Sequence, residues 1–164
     1  EALDLNQVLS EMVGLIEGHV ILREVDLARD LDPRLPLFYG YRSKLEQVFL
    51  NMVINAAEAM EGKGRLELAT SHHPQEGEIR VVFRDHGPGI PEEVARRIFE
   101  PFFTTKARGR GTGLGLAISH GIIKQHEGRI ELDTAPGRGA TFTVVLPTGR
   151  LLVTPQENGH RQAS

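Results

Sequence analysis

Three groups of residues in this chain have the types and spacing to do chemistry. One is a polar stripe, Gln47, Asn51, Asn55 and Glu58, set in the otherwise apolar run SKLEQVFLNMVINAAEAM. Another is an acid, Asp85, which ends the strand-like EIRVVFRD and heads the turn DHGPGIP, where Gly87 and Gly89 leave room for a flat ligand. The last is the basic stretch KARGRGTGLGLA, with glycines at 109, 111, 113 and 115. Neutral amide oxygens suit a hard ion such as Mg2+. A carboxylate accepts from an amine, and backbone N–H groups at a helix N-terminus face an anion. A metal site, an amine acceptor and an anion cradle together describe a nucleotide.

Two of these groups, the stripe and the glycine run, also have a plainer reading. At about 100° per residue the stripe falls within a band of about 80° on a helix apolar over most of its remaining circumference. Such a helix is buried, and its asparagines could equally form a hydrogen-bond network inside the core; spacing alone leaves both open. Glycine is unfavourable by about 1 kcal/mol against alanine inside a helix, so the glycine run is either a flexible linker or a place where the backbone must turn, approach a ligand or move. Two common phosphate loops are excluded. No Gly-Lys-Ser/Thr is present, and the GxGxxG spacing fails from Gly109, Gly111 and Gly113, because Leu114, Leu116 and Ile118 occupy its last position.

The elements that must position these groups follow from periodicity. LDLNQVLSEMVGLIEG reads as a helix with Asp4 and Gln7 as a reciprocal cap. HVILREVDLARD alternates as a strand, and Ser43 with Glu46 has the capping-box spacing for a helix to about Glu61. RLELAT and EIRVVFRD are strands joined by a loop from His72-His73-Pro74 to Gly77. Pro91 suits the first position of a short helix. A helix from about Leu114 to His126 stops at Gly128, and RIELDTA with ATFTVVLP forms a hairpin around PGRG. The sum is an α+β, two-layer sandwich: a mixed, mostly antiparallel five-stranded sheet against about three helices.

With 164 residues the chain is long enough for one cored domain, here 1–148, with a flexible tail at 149–164. A net charge of −3 argues against a general nucleic-acid or membrane-surface binder, and no apolar run approaches the roughly 18 residues of a membrane span. Zero cysteines exclude disulfides and thiolate metal sites and fit a reducing, cytoplasmic setting. The start at Glu1 reads as a piece of something longer.

At these residues the chain resembles the catalytic, ATP-binding domain of bacterial sensor histidine kinases, within the wider family of gyrase, heat-shock chaperone and mismatch-repair ATPases. The asparagine box appears as ExxxxNMVINAAEA from Glu46, the first glycine box as DHGPGI from Asp85, and the phenylalanine box as FEPFFTTK from Phe99. The second glycine box is GRGTGLGLA from Gly109, and a closing hairpin is GRGATFTVVLP from Gly137. Their order and spacing match the family over 1–148.

The resemblance implies roles residue by residue. Asp85 would accept from the adenine amine, with Thr141 joining through a water. Asn55 would hold Mg2+, with Asn51 and Glu58 beside it. Gly87 and Gly89 would pass beneath the base and Ile90 would touch it. A mobile lid would run from about Phe99 to Thr112, including Thr104 and Thr105. Lys106 would neutralise the γ-phosphate, with Arg108 or Arg110 in reserve. Gly111, Thr112, Gly113, Leu114, Gly115 and Leu116 would bring a helix N-terminus to the phosphates.

ATP and Mg2+ are thus the implied ligands. The implied partners are an upstream dimerisation domain carrying the acceptor histidine and, through it, a response regulator. His86 stands where the family often has asparagine and receives no catalytic role. His126-Glu127 lacks the following proline of an H-E-x-x-x-P acceptor, and His72-His73 is read as a solvated loop rather than a metal pair. The competing functions are a gyrase- or chaperone-like ATPase, whose hydrolytic glutamate would stand at Asn51, a protein serine kinase, and a non-catalytic nucleotide-sensing module.

Overall fold

The computed structural model describes residues 1–103 and 115–149. Strand β1 (Ala2–Leu3) leads into helix α1 (Leu5–Ile16), whose N-terminus is capped by Asp4 accepting from the N–H groups of Asn6 and Gln7. Gln7 does not return to the cap, because its amide donates to Glu11 one turn on. The strand expected from His19 opens instead with a single 3-10 turn, Val20–Leu22: the His19 ring accepts from Ile21 N–H and curls the chain. Strand β2 then runs Glu24–Asp30, and β3 (Phe38–Tyr39) pairs antiparallel with β1.

Helix α2 (Arg42–Ala59) fills the centre, burying Leu45, Val48, Phe49, Met52, Val53, Ala56 and Ala57. The capping box expected at Ser43 does not form. Tyr41 is the N-cap, and Glu46 instead accepts from the Arg42 guanidinium at 2.9 Å. The reason is tertiary. The N–H of Tyr41 donates to Nε2 of His126, 85 residues away, and this holds Tyr41 extended so that the helix begins directly after it. His126 is fully buried, its Nδ1 within 2.8 Å of Ile122 O, which gives this histidine a structural position.

Strands β4 (Lys63–His73), β5 (Glu78–Asp85), β6 (Arg129–Thr134) and β7 (Ala140–Pro147) complete a sheet of order β2-β4-β5-β7-β6. His72 and His73, expected in a loop, lie in β4 opposite Ile79 and Glu78. The β2–β4 pair is parallel and the other pairs are antiparallel; the crossover that a parallel pair requires contains α2. Alternation sorts the sheet. Leu66, Leu68, Ile79, Val81, Phe83, Phe142, Val144 and Leu146 are buried on one face, with the Phe83 ring 5.9 Å from that of Phe49. The other face carries ion pairs such as Arg65–Glu67 and Arg129–Glu78. One covered and one solvated face is the usual state of such a sheet.

A one-turn helix α3 (Glu92–Ala95), with Pro91 as its N-cap, and helix α4 (Gly115–Gln125) stand beyond β5. At the end of α4 the left-handed residue is Glu127, φ 62°, and the N–H of Gly128 closes the helix on Ile123 O at 2.9 Å. The sequence expectation of one stop at Gly128 thus divides between two residues. The expected α+β sandwich, a five-stranded mixed sheet under three main helices, is the architecture found.

Candidate functional site

Alternation along β5 puts Asp85 on the covered face of the sheet, after Ile79, Val81 and Phe83, with only 3% of its surface exposed. Its Oδ1 accepts from the N–H of Gly87 at 3.0 Å and of Ala140 at 3.2 Å. Burial pushes the Asp85 carboxyl above the ordinary aspartate range, opposed by the Gly87 and Ala140 N–H groups and by nearby His86. A desolvated carboxyl of this kind gains from a further hydrogen-bond donor.

The turn after Asp85 is built on close backbone approaches. A Cβ at Gly87 would stand 3.1 Å from Asp85 Oδ1 and 3.2 Å from Ala59 O, so the turn lies directly on the end of α2. Gly89 has φ +77°, and a Cβ there would meet Ala135 O at 2.0 Å; only glycine fits both constraints. Gly137 N–H donates to Pro88 O at 2.7 Å, and Ile90 N–H to the Thr134 hydroxyl at 2.9 Å. The first glycine box and the β6–β7 hairpin are therefore one joined unit. An open depression lies between the end of α2 and this turn, lined by Ala59, Met60, Lys63, His86 and Pro88 among others.

On α2, Asn51, Asn55 and Glu58 are each half-buried on one helical stripe. The Asn51 amide donates to Gly115 O at 3.3 Å and to Ser119 Oγ at 3.2 Å, which ties the stripe to the first turns of α4. Among the described residues no cluster of three His, Asp or Glu is grouped to hold a metal. The oxygen donors on the stripe are two amides, Asn51 and Asn55, and a carboxylate, Glu58. Such hard oxygens fit Mg2+, an ion that is commonly bound by few protein ligands together with substrate phosphates.

On the far side of α4, Phe99 stacks on His120 with ring centroids 5.2 Å apart and meets Phe142 edge-on at 6.4 Å. Phe99, expected as the first residue of a mobile cover, here packs between His120 of α4 and Phe142 of β7. The Arg97 guanidinium lies over the Phe103 ring at 4.7 Å. Thr104, Thr105, Lys106, Arg108, Arg110, Gly111, Thr112, Gly113 and Leu114 lie outside the described residues, as does the tail from 150 onward.

The structure therefore brings Asp85 and Gly87 to the end of α2, sets Gly89 and Ile90 against the β6–β7 hairpin, and brings Asn51 to Gly115. Leu116 packs half-buried against the core. Thr141, expected to join Asp85 through a water, stands elsewhere. It pairs with Arg84, whereas Asp85 pairs with Ala140, and one residue of register along a strand reverses the face. Its side chain thus lies across the sheet from Asp85, and it is the Ala140 N–H that reaches the carboxylate. His86 is directed to Glu67, at 3.5 Å. Thr134 and Ser119 were not anticipated. Ser119 carried a faint signal, a polar residue one turn from Gly115 in an apolar helix. Thr134 carried none, because its partners are set by hairpin docking.

Comparison with known proteins adds a second kind of observation. The family described as "Histidine kinase-, DNA gyrase B-, and HSP90-like ATPase" matches residues 40–150. The signal transduction histidine-protein kinase AtoS of Escherichia coli (strain K12) is 37% identical over 158 residues, 96% of this chain. The chain spans only 25% of the length of AtoS. Among solved structures, the catalytic domain of histidine kinase ThkA in a nucleotide-free form superposes with a TM-score of 0.78 at 32% identity, over 90% of this chain and 97% of that one. Full-length ShkA in complex with AMPPNP gives a TM-score of 0.78 at 27% identity, over 90% of this chain and 30% of that one. ThkA is also known in complex with the response regulator protein TrrA. Among the described residues no helix is long and apolar enough to cross a membrane.

Proposed function

This chain belongs to the histidine kinase-, DNA gyrase B- and HSP90-like ATPase family, and on that premise we propose that it is the catalytic, ATP-binding domain of a sensor histidine kinase. It takes Mg·ATP and delivers the γ-phosphoryl group to a histidine nitrogen on an upstream dimerisation domain. The bond from phosphorus to the β,γ-bridging oxygen breaks, a P–N bond forms, ADP leaves, and the imidazole gives up its proton. A response regulator aspartate is the next acceptor, a reading supported by the ThkA–TrrA complex.

The observation that carries this reading is Asp85, a buried carboxyl held by two backbone N–H groups over a turn with no side chains at Gly87 and Gly89. It is suited to accept from the exocyclic amine of adenine. Guanine presents a carbonyl at that edge and would leave the carboxylate facing a second acceptor, which is how a polar site rejects a near-isostere. Ile90 supplies an apolar contact to the base. Phosphoryl transfer asks the protein mainly for positioning and charge stabilisation, and the remaining residues divide that work. Asn55 and Glu58 offer oxygen to Mg2+, which when bound screens the charge of the triphosphate. Asn51 fixes α4 against α2, so that the N–H groups at the start of α4 have a defined direction toward the phosphates. Lys106 stands as the cation for the γ-phosphate on its sequence position.

Hydrolysis in the manner of a gyrase-like ATPase is the weaker alternative. The residue at the position of its hydrolytic glutamate is Asn51, and that amide is engaged with Gly115 and Ser119. The test is to mix the domain with Mg·ATP and a histidine-bearing dimerisation domain and to assay for acid-labile phosphate on histidine. Transfer supports the kinase; release of inorganic phosphate with no phosphohistidine would contradict it.

A further inference from the structure

The hydroxyl of Thr134 makes two hydrogen bonds, one to a turn 44 residues away in sequence and one across its own hairpin. It accepts from Ile90 N–H at 2.9 Å and donates to Gly139 O at 2.8 Å. Both are backbone groups of the turns that frame Asp85. Ile90 closes the first glycine box. A Cβ on Gly139 would stand 2.2 Å from Asp85 O, so that turn lies directly against the acid's own backbone. The next residue, Ala140, donates its N–H to Asp85 Oδ1.

We propose that Thr134 is a positioning residue for the nucleotide base: its hydroxyl locks Ile90 and the Gly139–Ala140 turn at fixed places around Asp85. This rests on the reading of Asp85 as the base-binding acid. The physical ground is the hydroxyl's dual capacity, one donor and two acceptor lone pairs. A single side-chain oxygen satisfies one backbone N–H and one backbone C=O that belong to different segments. Replace it by an isosteric methyl and both partners lose it, while the volume that fills the site stays the same. A half-buried N–H and C=O without partners reorient toward water. Ile90 would then shift from its contact with the base, and the Ala140 N–H from the carboxylate. Pro88 O retains its own bond from Gly137 N–H, so the turn remains attached but with one fewer fixed point. Thr134 touches no ligand on this account and acts only through Ile90 and Ala140.

The experiment uses this chain, with Mg·ATP and Mg·ADP as probes in equilibrium titrations of wild type, Thr134→Val and Thr134→Ser. Thr134→Val is expected to weaken both nucleotides by the same factor, about tenfold, since the lesion lies at the base and not at the phosphates. Thr134→Ser keeps the hydroxyl and is expected to restore wild-type affinity, although it lacks the methyl that Val retains. A residue that merely fills space would give the opposite order, Val better than Ser, and that order overturns the proposal. So does a valine variant that binds as wild type does. Independently of any variant, amide exchange in the ligand-free wild type should find Ile90 N–H protected; exchange at the rate of an open loop overturns the lock even if Thr134→Val fails to fold. Were wild type to bind neither nucleotide, the base-binding reading of Asp85 would fall and this proposal with it. Tight wild-type binding with no effect at Thr134 removes the lock alone.

Discussion

The amide of Asn51 donates to the hydroxyl of Ser119 across 3.2 Å, joining the polar stripe of α2 to α4 inside a layer that is otherwise apolar. Ser119 has no exposed surface, so its hydroxyl depends on protein partners. Ser119→Ala should therefore lower stability by about 1 kcal/mol, the usual net value of one such bond, measured as a shift in the urea midpoint at constant slope. A larger part of the effect should appear in nucleotide affinity, because α4 loses one of two ties to the stripe. Unchanged affinity and unchanged midpoint would mean that this bond holds nothing in place.

Asp85 and Glu78 should move stability with pH in opposite directions. Burial raises the folded-state pKa of Asp85, so the folded protein keeps that proton to higher pH than the unfolded chain does. Its contribution is full below the ordinary aspartate range and is lost as pH rises through the raised pKa. Glu78 is held below its ordinary value, chiefly by the hydrogen bond from Arg129. Its contribution is full above the ordinary glutamate range and is lost as pH falls through the lowered pKa. Asp85→Asn should therefore gain on wild type as pH climbs out of the aspartate range, and Glu78→Gln should flatten the acid limb. Urea midpoints from pH 3 to pH 7 for the three proteins check both signs; parallel curves for Asp85→Asn and wild type would remove the claimed shift.

Asn55→Ala tests the metal assignment. Asn55 is half-buried on the stripe, one turn from Asn51, and the alanine has good helix propensity, so the fold should survive with an unchanged far-ultraviolet spectrum. Nucleotide affinity in Mg2+ should drop about tenfold or more, to roughly the level that wild type reaches in a chelator. A variant whose affinity still rises on adding Mg2+ as much as wild type's would exclude Asn55 as the ligand.

The readable and unreadable parts of this molecule separate on physical lines. The Asn51–Asn55–Glu58 stripe was legible because helical period is local, and the buried position of Asp85 because it follows Ile79, Val81 and Phe83 in the alternation of β5. Thr141 was misjudged because motif order says nothing about which side of a pleat a residue takes, and only the Asp85–Ala140 register decides it. The Ser43 cap failed for a similar reason: His126, 85 residues on, holds Tyr41 N–H and sets the start of α2. Thr134 carries no sequence signal, because its bond to Ile90 exists only where the β6–β7 hairpin docks on the first glycine box. Local signals foretold the three main helices and the five strands of the large sheet, but not the β1–β3 pair. The docking of one turn on another did not follow from them.

The most direct measurement is a calorimetric titration of the chain with ATP and with GTP, each in the presence and absence of Mg2+. The predicted result is binding of ATP that tightens with Mg2+, weaker binding of GTP by about a hundredfold, and loss of that preference in Asp85→Asn. Equal affinity for the two nucleotides, or no heat with ATP at all, would contradict the assignment of Asp85 as the acid that reads adenine.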